Sequence, residues 1–357
     1  AILMSFQYFK NDFRYAAAAP EIYNSCIILF GWIYSSSPES TVYGFAIGGL
    51  IGSILGHFLI QIIGAKKNGL SFKLLKPKGE HILQYMTISL PLIVGQSIAV
   101  VDEQLFRYFG SFLTTGSIAS FRYARRVALI PVGVVAQAVG VASYPTLSNL
   151  YVENKLEDFK LLVRKQLSVL AIINTGVLIL FISNSENIIT LIYQRGLFTG
   201  EDTLRVSKIF LIVSFGLIPW SINQIVTRSY YVQRNYWFPV WVGTSITLVT
   251  VILLKLNSAP TEANYAGIII SSLWLNMLVL TFFLKVKAER IVNKSQMLDF
   301  LKIFLVGTAV YFLTTAINIY SGNLIFEVII DSLFILILIF LSLFLVKMKY
   351  VNLKRIR

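Results

Sequence analysis

Long apolar runs broken by short polar gaps make up most of the chain. About 20 consecutive apolar residues cover the roughly 30 Å of hydrocarbon in a bilayer, and about ten runs reach that length. They fall near residues 16–35, 42–64, 82–110, 117–148, 161–183, 203–232, 236–255, 264–285, 300–320 and 325–347. The longest exceed what one crossing needs, so they must tilt, bend or extend beyond the membrane. Pro91, Pro131 and Pro219 are the predicted bends. The pattern predicts an all-α polytopic membrane protein. Its gaps leave no room for a soluble domain, so function has to sit inside the helical bundle. Two gaps carry apolar residues of their own. NLYVENKLEDFKLLVRK, residues 149–165, reads either as a helix lying on the membrane surface or as a solvated connecting turn. NIITLIYQRGLF, within 184–202, is too short to cross and is expected to lie at the outer interface or to dip in.

Charge sets the orientation. Alternate gaps at 5–15, 65–80, 149–165, 233–235 and 286–299, with the tail from 348, hold about 19 Lys and Arg residues, including Lys66, Lys67, Lys73, Lys76 and Lys78. The other gaps hold about one, Arg195. The basic side is therefore expected in the cytoplasm, with the C-terminal VNLKRIR inside. Aromatic residues near span ends, such as Trp32, Tyr34, Tyr236 and Trp237, fit an interfacial belt.

Composition agrees with this reading: 56% of residues are hydrophobic, 13% are charged and the mean hydropathy is +0.72. A net charge of +14 is explained by the gaps, so no nucleic-acid partner is expected. Cys26 is the one cysteine, and His57 and His81 lie far apart, so neither a disulfide framework nor a metal site is expected. No catalytic cluster stands out, which argues against an enzyme. The chain opens AILMSFQYFK, without an initiator methionine or a signal-peptide pattern, and is expected to be part of a longer protein.

The most informative residues are charges inside spans. Arg122, Arg125 and Arg126 stand at i, i+3 and i+4 and share one helix face. An arginine at the bilayer centre costs at least about 2.5–3.5 kcal/mol, so this face needs a water-filled cavity, an anionic ligand or acids on neighbouring helices. Guanidinium groups hold phosphate or carboxylate through paired hydrogen bonds, which suits a phosphate-bearing substrate. Asp102 and Glu103 in the preceding span are the candidate internal partners. Glu103 can pair with Arg107 one turn on, leaving Asp102 for Arg125, for Arg126, or for a coupling sodium ion or proton. Glu327 and Asp331 share a face near the start of the last span, and Glu327 can snorkel to the surface. Asn223, Gln224, Thr227 and Arg228 either bond between helices or line a cavity.

Three ordered motifs resemble those of the MurJ/MviN family of lipid II flippases. The first runs through Gly116 and Ser117, Tyr123, Ala124 and Arg126, Pro131 and Gly133, to Pro145 and Leu147. The second, LIYQRGLFTGEDT, carries Gln194, Gly196 and Phe198. The third, RSYYVQRNYWFPV, closes on Pro239 and Val240. The opening ILMSFQYFK and AAAAPEIYN, with Pro20 and Asn24, resembles the family's fourth-to-fifth helix junction. On that alignment the first four of fourteen helices precede this chain. Arg126 matches the family's cavity arginine, whereas Arg122 and Arg125 depart from its pattern. Asp102 falls about one helical turn from the family's sodium-site acid.

The resemblance implies the two-bundle, MATE-like architecture of multidrug, oligosaccharidyl-lipid and polysaccharide exporters, N-terminally truncated. Residues 1–64 would then be the remainder of the first bundle, 65–81 a basic cytoplasmic linker, 82–285 the second six-helix bundle, and 286–357 two extra helices with a basic tail. It further implies a flippase for a lipid-linked, diphosphate-bearing cell-wall precursor in the bacterial inner membrane. Arg126, with Arg125 and Arg122, would contact the polyprenyl-diphosphate-linked glycan. Membrane lipids, and cell-wall synthesis proteins, are the other partners implied. No cofactor is implied; sodium, protons or the membrane potential would drive the cycle. A flippase for another polyprenyl-diphosphate glycan, a cation-coupled drug exporter of the same fold and an inactive scaffold are the rival readings.

Overall fold

A computed structural model describes residues 2–10, 12–71, 79–98, 100–287, 289–317 and 332–333. Apart from residues 332–333, the expected span 325–347 lies outside the described residues, as do Lys73, Lys76, Lys78, Glu327 and Asp331. The chain divides into two compact units, Ala1–His81 and Ile82–Arg357.

The first unit holds α1 (Ile2–Phe9), α2 (Arg14–Ile33) and α3 (Pro38–Lys67). Ser37 caps α3 reciprocally with Ser40, and Pro38 sits in its first turn, where a missing N–H costs nothing. α2 and α3 meet backbone to backbone along Gly44, Gly48, Gly52 and Gly56. A methyl group built on these glycines would lie 2.5, 2.6, 2.9 and 2.6 Å from the carbonyl oxygens of Phe30, Cys26, Tyr23 and Ala19. Without a hydrophobic drive between helices in lipid, such small-residue stripes let main chains approach and gain dispersion. Buried Gln61 ties the unit together: Gln7 Nε2 donates to its Oε1 at 2.9 Å, and its own Nε2 donates to Tyr15 O at 3.1 Å. At the polar end, Asp12 accepts from Arg14 Nε at 3.0 Å and Asn68 Nδ2 at 2.9 Å, which holds its carboxyl at about 2.

The second unit contains α4 (Gly79–Ile98, whose first residues precede the division), α5 (Val101–Gly110), α6 (Ser117–Val152), α7 (Leu156–Ser183), α8 (Ser185–Tyr193), α9 (Gly200–Ser214), α10 (Leu217–Val232), α11 (Trp237–Leu256), α12 (Glu262–Phe283) and α13 (Lys294–Ile317). A two-residue hairpin, β1 (Lys285–Val286) with β2 (Glu289–Arg290), joins α12 to α13. Fully buried Phe106, Phe121, Phe159, Leu170, Phe210 and Ile225 centre the core, where the rings of Phe106 and Phe121 stack at 3.9 Å.

Among the described residues, seven helical stretches are long and apolar enough to cross a membrane, counting α9 with α10. They correspond in order to seven of the ten expected spans; the expected 300–320 falls in α13, which is not among the seven, and two of the expected runs are broken. The run 82–110 is not one helix but α4 followed by α5. Asp102 and Glu103 occupy the first turn of α5, where the positive end of the helix dipole favours carboxylates. The run 203–232 breaks at Phe215–Gly216 rather than at Pro219 itself. Proline lacks the N–H that would serve the carbonyl four residues back, and Trp274 Nε1 donates to Phe215 O instead, at 2.9 Å. Of the two readings of 149–165 the connecting turn is the one found: α6 runs to Val152 and α7 starts at Leu156, joined by a turn in which Asn154 takes φ +59°. Pro131 is followed by a π-helical turn over Val132–Ala136 within α6.

A polar clasp holds the hairpin and α13 to α7. Lys160, with only 4% of its side chain exposed, donates to Glu157 Oε1 at 2.8 Å and to Glu289, whose carboxyl it pulls below the ordinary range. Gln296 Nε2 donates to Arg164 O at 2.9 Å, and Ile303 packs against Ala171 and Ile172.

The glycine stripe of α2 and α3 gives a paired expectation. Gly48→Ala should destabilise the protein by about 1–3 kcal/mol, because backbone cannot retreat as a flexible side chain can. Gly49→Ala, whose added methyl meets nothing nearer than the Tyr23 hydroxyl at 3.8 Å, should leave thermal unfolding unchanged.

Candidate functional site

α6 carries the arginines, and its start is built around a charged side chain from α9. Gly116 precedes the helix at φ +91°, a conformation that favours glycine. Arg205 lies across this turn. It donates to Thr115 O and Thr114 Oγ1 at 2.8 Å, to Ser117 Oγ at 3.1 Å, and through Nε to Glu262 Oε1 at 2.9 Å. A side chain at position 116 would strike its guanidinium, since an added methyl would sit 2.8 Å from Nη1. The Gly-Ser element is thus a seat for Arg205, which draws α6, α9 and α12 together.

The Gln194 loop is a second structural support. Gln194 Oε1 accepts from Thr203 Oγ1 at 2.9 Å, Gly196 takes φ +63°, and Phe198 packs edge-on against Tyr123 at 5.6 Å. The Tyr193 ring lies tilted against Tyr123 at 4.8 Å, so the loop rests on the helix face next to Arg126. Thr199 and Asp202 cap α9 reciprocally just beyond it.

The three arginines have different surroundings. Arg125, 14% exposed, grips Asp102 with both arms of its fork, Nε to Oδ2 at 2.9 Å and Nη2 to Oδ1 at 3.1 Å. Its Nη1 reaches Glu103 Oε2 at 3.2 Å, and its guanidinium lies 5.5 Å from the ring of Trp220. Arg122 is half exposed and only approaches Glu103, at 3.7 Å, as does Arg107 at 3.8 Å. Arg126 is exposed, and no acid lies within ion-pairing distance of it among the described residues. Asp102 is 4% exposed on its side chain, and the Arg125 fork supplies its counter-charge.

Asn223, Gln224 and Arg228 fall elsewhere. Together with Asp102, Trp220, Thr227 and Asn276 they line a cavity of about 580 Å³ between α4, α5, α6, α10, α11 and α12. Pro239 of the third motif lies in the same wall. Arg228 sits against Gly140, where an added methyl would fall 1.8 Å from its Nη1. A second hollow of about 570 Å³, almost wholly apolar, runs between α7, α10, α12 and α13 past Ile222, Met277 and Phe300. Among the described residues no three His, Cys, Asp or Glu side chains gather as a metal site would need.

The sequence reading missed Arg205 and Glu262. Both fall within two residues of the limits set for spans, where hydropathy alone cannot separate an interfacial charge from a structural one. Their signal was the hydrogen-bonding run Thr114 to Ser117 opposite an arginine.

Broken spans, a proline-containing helix bearing arginines and a polar cavity between helices define a multi-pass helical membrane protein of transporter architecture. The sequence model of the family described as "Lipid II flippase MurJ" matches residues 1–341, and the chain belongs to that family. Relatives named "Probable lipid II flippase MurJ" include one from Vibrio cholerae, 25% identical over 277 residues, covering 76% of this chain and 52% of that protein. Another, from Helicobacter pylori, is 27% identical and covers 63% of this chain and 53% of that protein. The chain spans about half the length of the curated relatives it matches. A solved structure titled "Lipid II flippase MurJ, inward closed conformation" superposes with a TM-score of 0.74 at 24% identity, over 96% of this chain and 69% of that one, a likeness of fold.

The Arg125–Asp102 fork predicts strong coupling in thermal unfolding. Arg125→Leu or Asp102→Leu alone should each cost about 3–5 kcal/mol by stranding a buried charge, and the double variant should cost less than either. Additive losses would show that the two side chains do not depend on each other.

Proposed function

We propose that the chain acts in a flippase that moves a lipid-linked, diphosphate-bearing cell-wall precursor, lipid II, across the bacterial inner membrane. The single observation that carries the reading is the division within the triplet. Arg125 is committed to Asp102 and Glu103, while Arg126, at the motif position, keeps its charge unpaired among the described residues. A guanidinium in that state offers two parallel hydrogen bonds to a phosphate oxygen pair. Family membership and the names of the relatives support the substrate class.

In this reading Arg126 holds the diphosphate, Arg122 adds field from one turn away, and Arg125 is a positioning residue. The aromatic pair Tyr123 and Tyr193 keeps the α6 face rigid beside the phosphate. The apolar hollow against α13 would take up part of the lipid tail, as its lining is chemically like a chain of methylenes. No covalent step is involved. The substrate crosses because the bundle reopens on the other side, and a potential negative inside favours outward passage of its anionic head. In this reading the basic gaps face the cytoplasm, as their excess of Lys and Arg favours, and the Arg195 loop lies outside.

Reconstitution of the full-length protein in liposomes with a labelled polyprenyl-diphosphate sugar tests this. Arg126→Ala should slow translocation roughly ten- to a hundredfold, the worth of one or two charge-assisted hydrogen bonds. Arg126→Lys should retain part of the rate. Wild-type translocation by Arg126→Ala would remove Arg126 from the phosphate site.

A further inference from the structure

The loop bearing Gln194, Gly196 and Phe198 delivers to the arginine face a hydroxyl that the flippase reading leaves unused. Tyr193 is the last residue of α8, a helix anchored by buried Ile188 and Ile189. The chain turns sharply after it. Gln194 takes φ −71° and ψ 81°, and Arg195 N donates to Tyr193 O at 2.7 Å, which is an inverse γ-turn. Phe198 N then donates to Arg195 O at 3.2 Å, and the Gln194 side chain is tied to Thr203 on α9. The Tyr193 ring is held in turn between Tyr123 at 4.8 Å and Phe198 at 5.7 Å. Its hydroxyl is therefore placed by two helices and a closed loop rather than by a free side chain.

That hydroxyl donates to Tyr123 O at 3.4 Å, beyond the roughly 2.5–3.0 Å of a good O–H···O bond. The same carbonyl lies within α6, where the helix ladder already supplies a partner four residues on. A carbonyl of residue 123 points along the helix axis toward the N–H of residue 127, so the hydroxyl stands level with Arg126. Burial pushes the Tyr193 phenol up, while the Arg126 guanidinium is close enough to pull against that shift. The phenol thus keeps its proton at neutral pH and acts as a donor. Arg126 beside it is exposed, with no acid within ion-pairing distance among the described residues. Two donors from separate elements meet there, one charged and one neutral, and each lacks a strong protein acceptor. An anion with two acceptor groups fits this pair better than one with a single group.

We propose that Tyr193 is a second contact for the diphosphate: its hydroxyl donates to one phosphate while the Arg126 fork holds the other, so that the pair selects diphosphate over monophosphate. The inference rests on the reading of Arg126 as a phosphate ligand. Gln194, Gly196 and Phe198 then become positioning residues, which hold the hydroxyl level with the guanidinium.

Equilibrium binding of farnesyl diphosphate and farnesyl monophosphate to the purified full-length protein tests the assignment. Wild type should prefer the diphosphate. Tyr193→Phe, which keeps the ring and its packing, should lose about tenfold in affinity for the diphosphate, the worth of one hydrogen bond to a charged acceptor. It should bind the monophosphate within about twofold of wild type, which also reports that the fold is intact. Diphosphate affinity unchanged in Tyr193→Phe, or equal loss for both ligands, would overturn the proposal. Arg126→Gln separates this failure from that of the underlying reading. If it weakens both ligands while Tyr193→Phe weakens neither, Arg126 remains the phosphate ligand and Tyr193 is excluded. If both variants bind the diphosphate as wild type does, the two readings fall together.

Discussion

A bilayer does not solvate charge, and the arrangement of this protein follows from how each buried charge is balanced. The fork between Arg125 and Asp102 is the central case. Two ions that could not survive separately in the bundle hold α5 and α6 at a fixed spacing, with Glu103 shared among Arg107, Arg122 and Arg125 as an outer partner. Because that pair is closed, the next residue on α6 keeps its charge available. The difference between a paired arginine and one left unpaired among the described residues is thus set by one position along a helix, a rotation of about 100°.

The same rule governs uncharged polar groups. Wherever a helix breaks, a carbonyl loses its partner, and a side chain from another helix replaces it. Pro219 frees Phe215 O, and Trp274 takes it. The end of α12 turns Leu284 N toward Thr281 O, and Tyr230 donates to the freed Leu280 O at 2.8 Å. Arg205 does this for Thr115 O while also pairing with Glu262. These replacements keep backbone polar groups satisfied where the spans break, as a lipid surrounding requires.

Much of the fold was legible because its signal is one-dimensional. Apolar run length gives spans, and the boundaries near 236–255 and 264–285 come within a few residues of Trp237–Leu256 and Glu262–Phe283. The break at Val100–Val101 was not read, because the residues around it are as apolar as any span and only the paired acids mark the new helix start. The glycines at 44, 48, 52 and 56 repeat every four residues in plain view, yet their meaning depends on the facing backbone of α2. Within the site, the sequence placed three arginines on one face but could not tell which acids reach which arginine. That is fixed by the relative rotation of α5 and α6, which stacking of Phe106 on Phe121 sets. Arg228 likewise looked like one more polar residue of a span, since nothing local reveals that Gly140 opens a seat for it.

The central claim is that the triplet is divided, with Arg125 structural and Arg126 free for phosphate. Equilibrium binding of a short-chain polyprenyl diphosphate to the purified protein measures this directly. The account predicts that Arg126→Gln weakens binding at least tenfold, whereas the charge-balanced double variant Asp102→Asn with Arg125→Gln binds within about twofold of wild type. Equal loss in both, or loss only in the double variant, would contradict it.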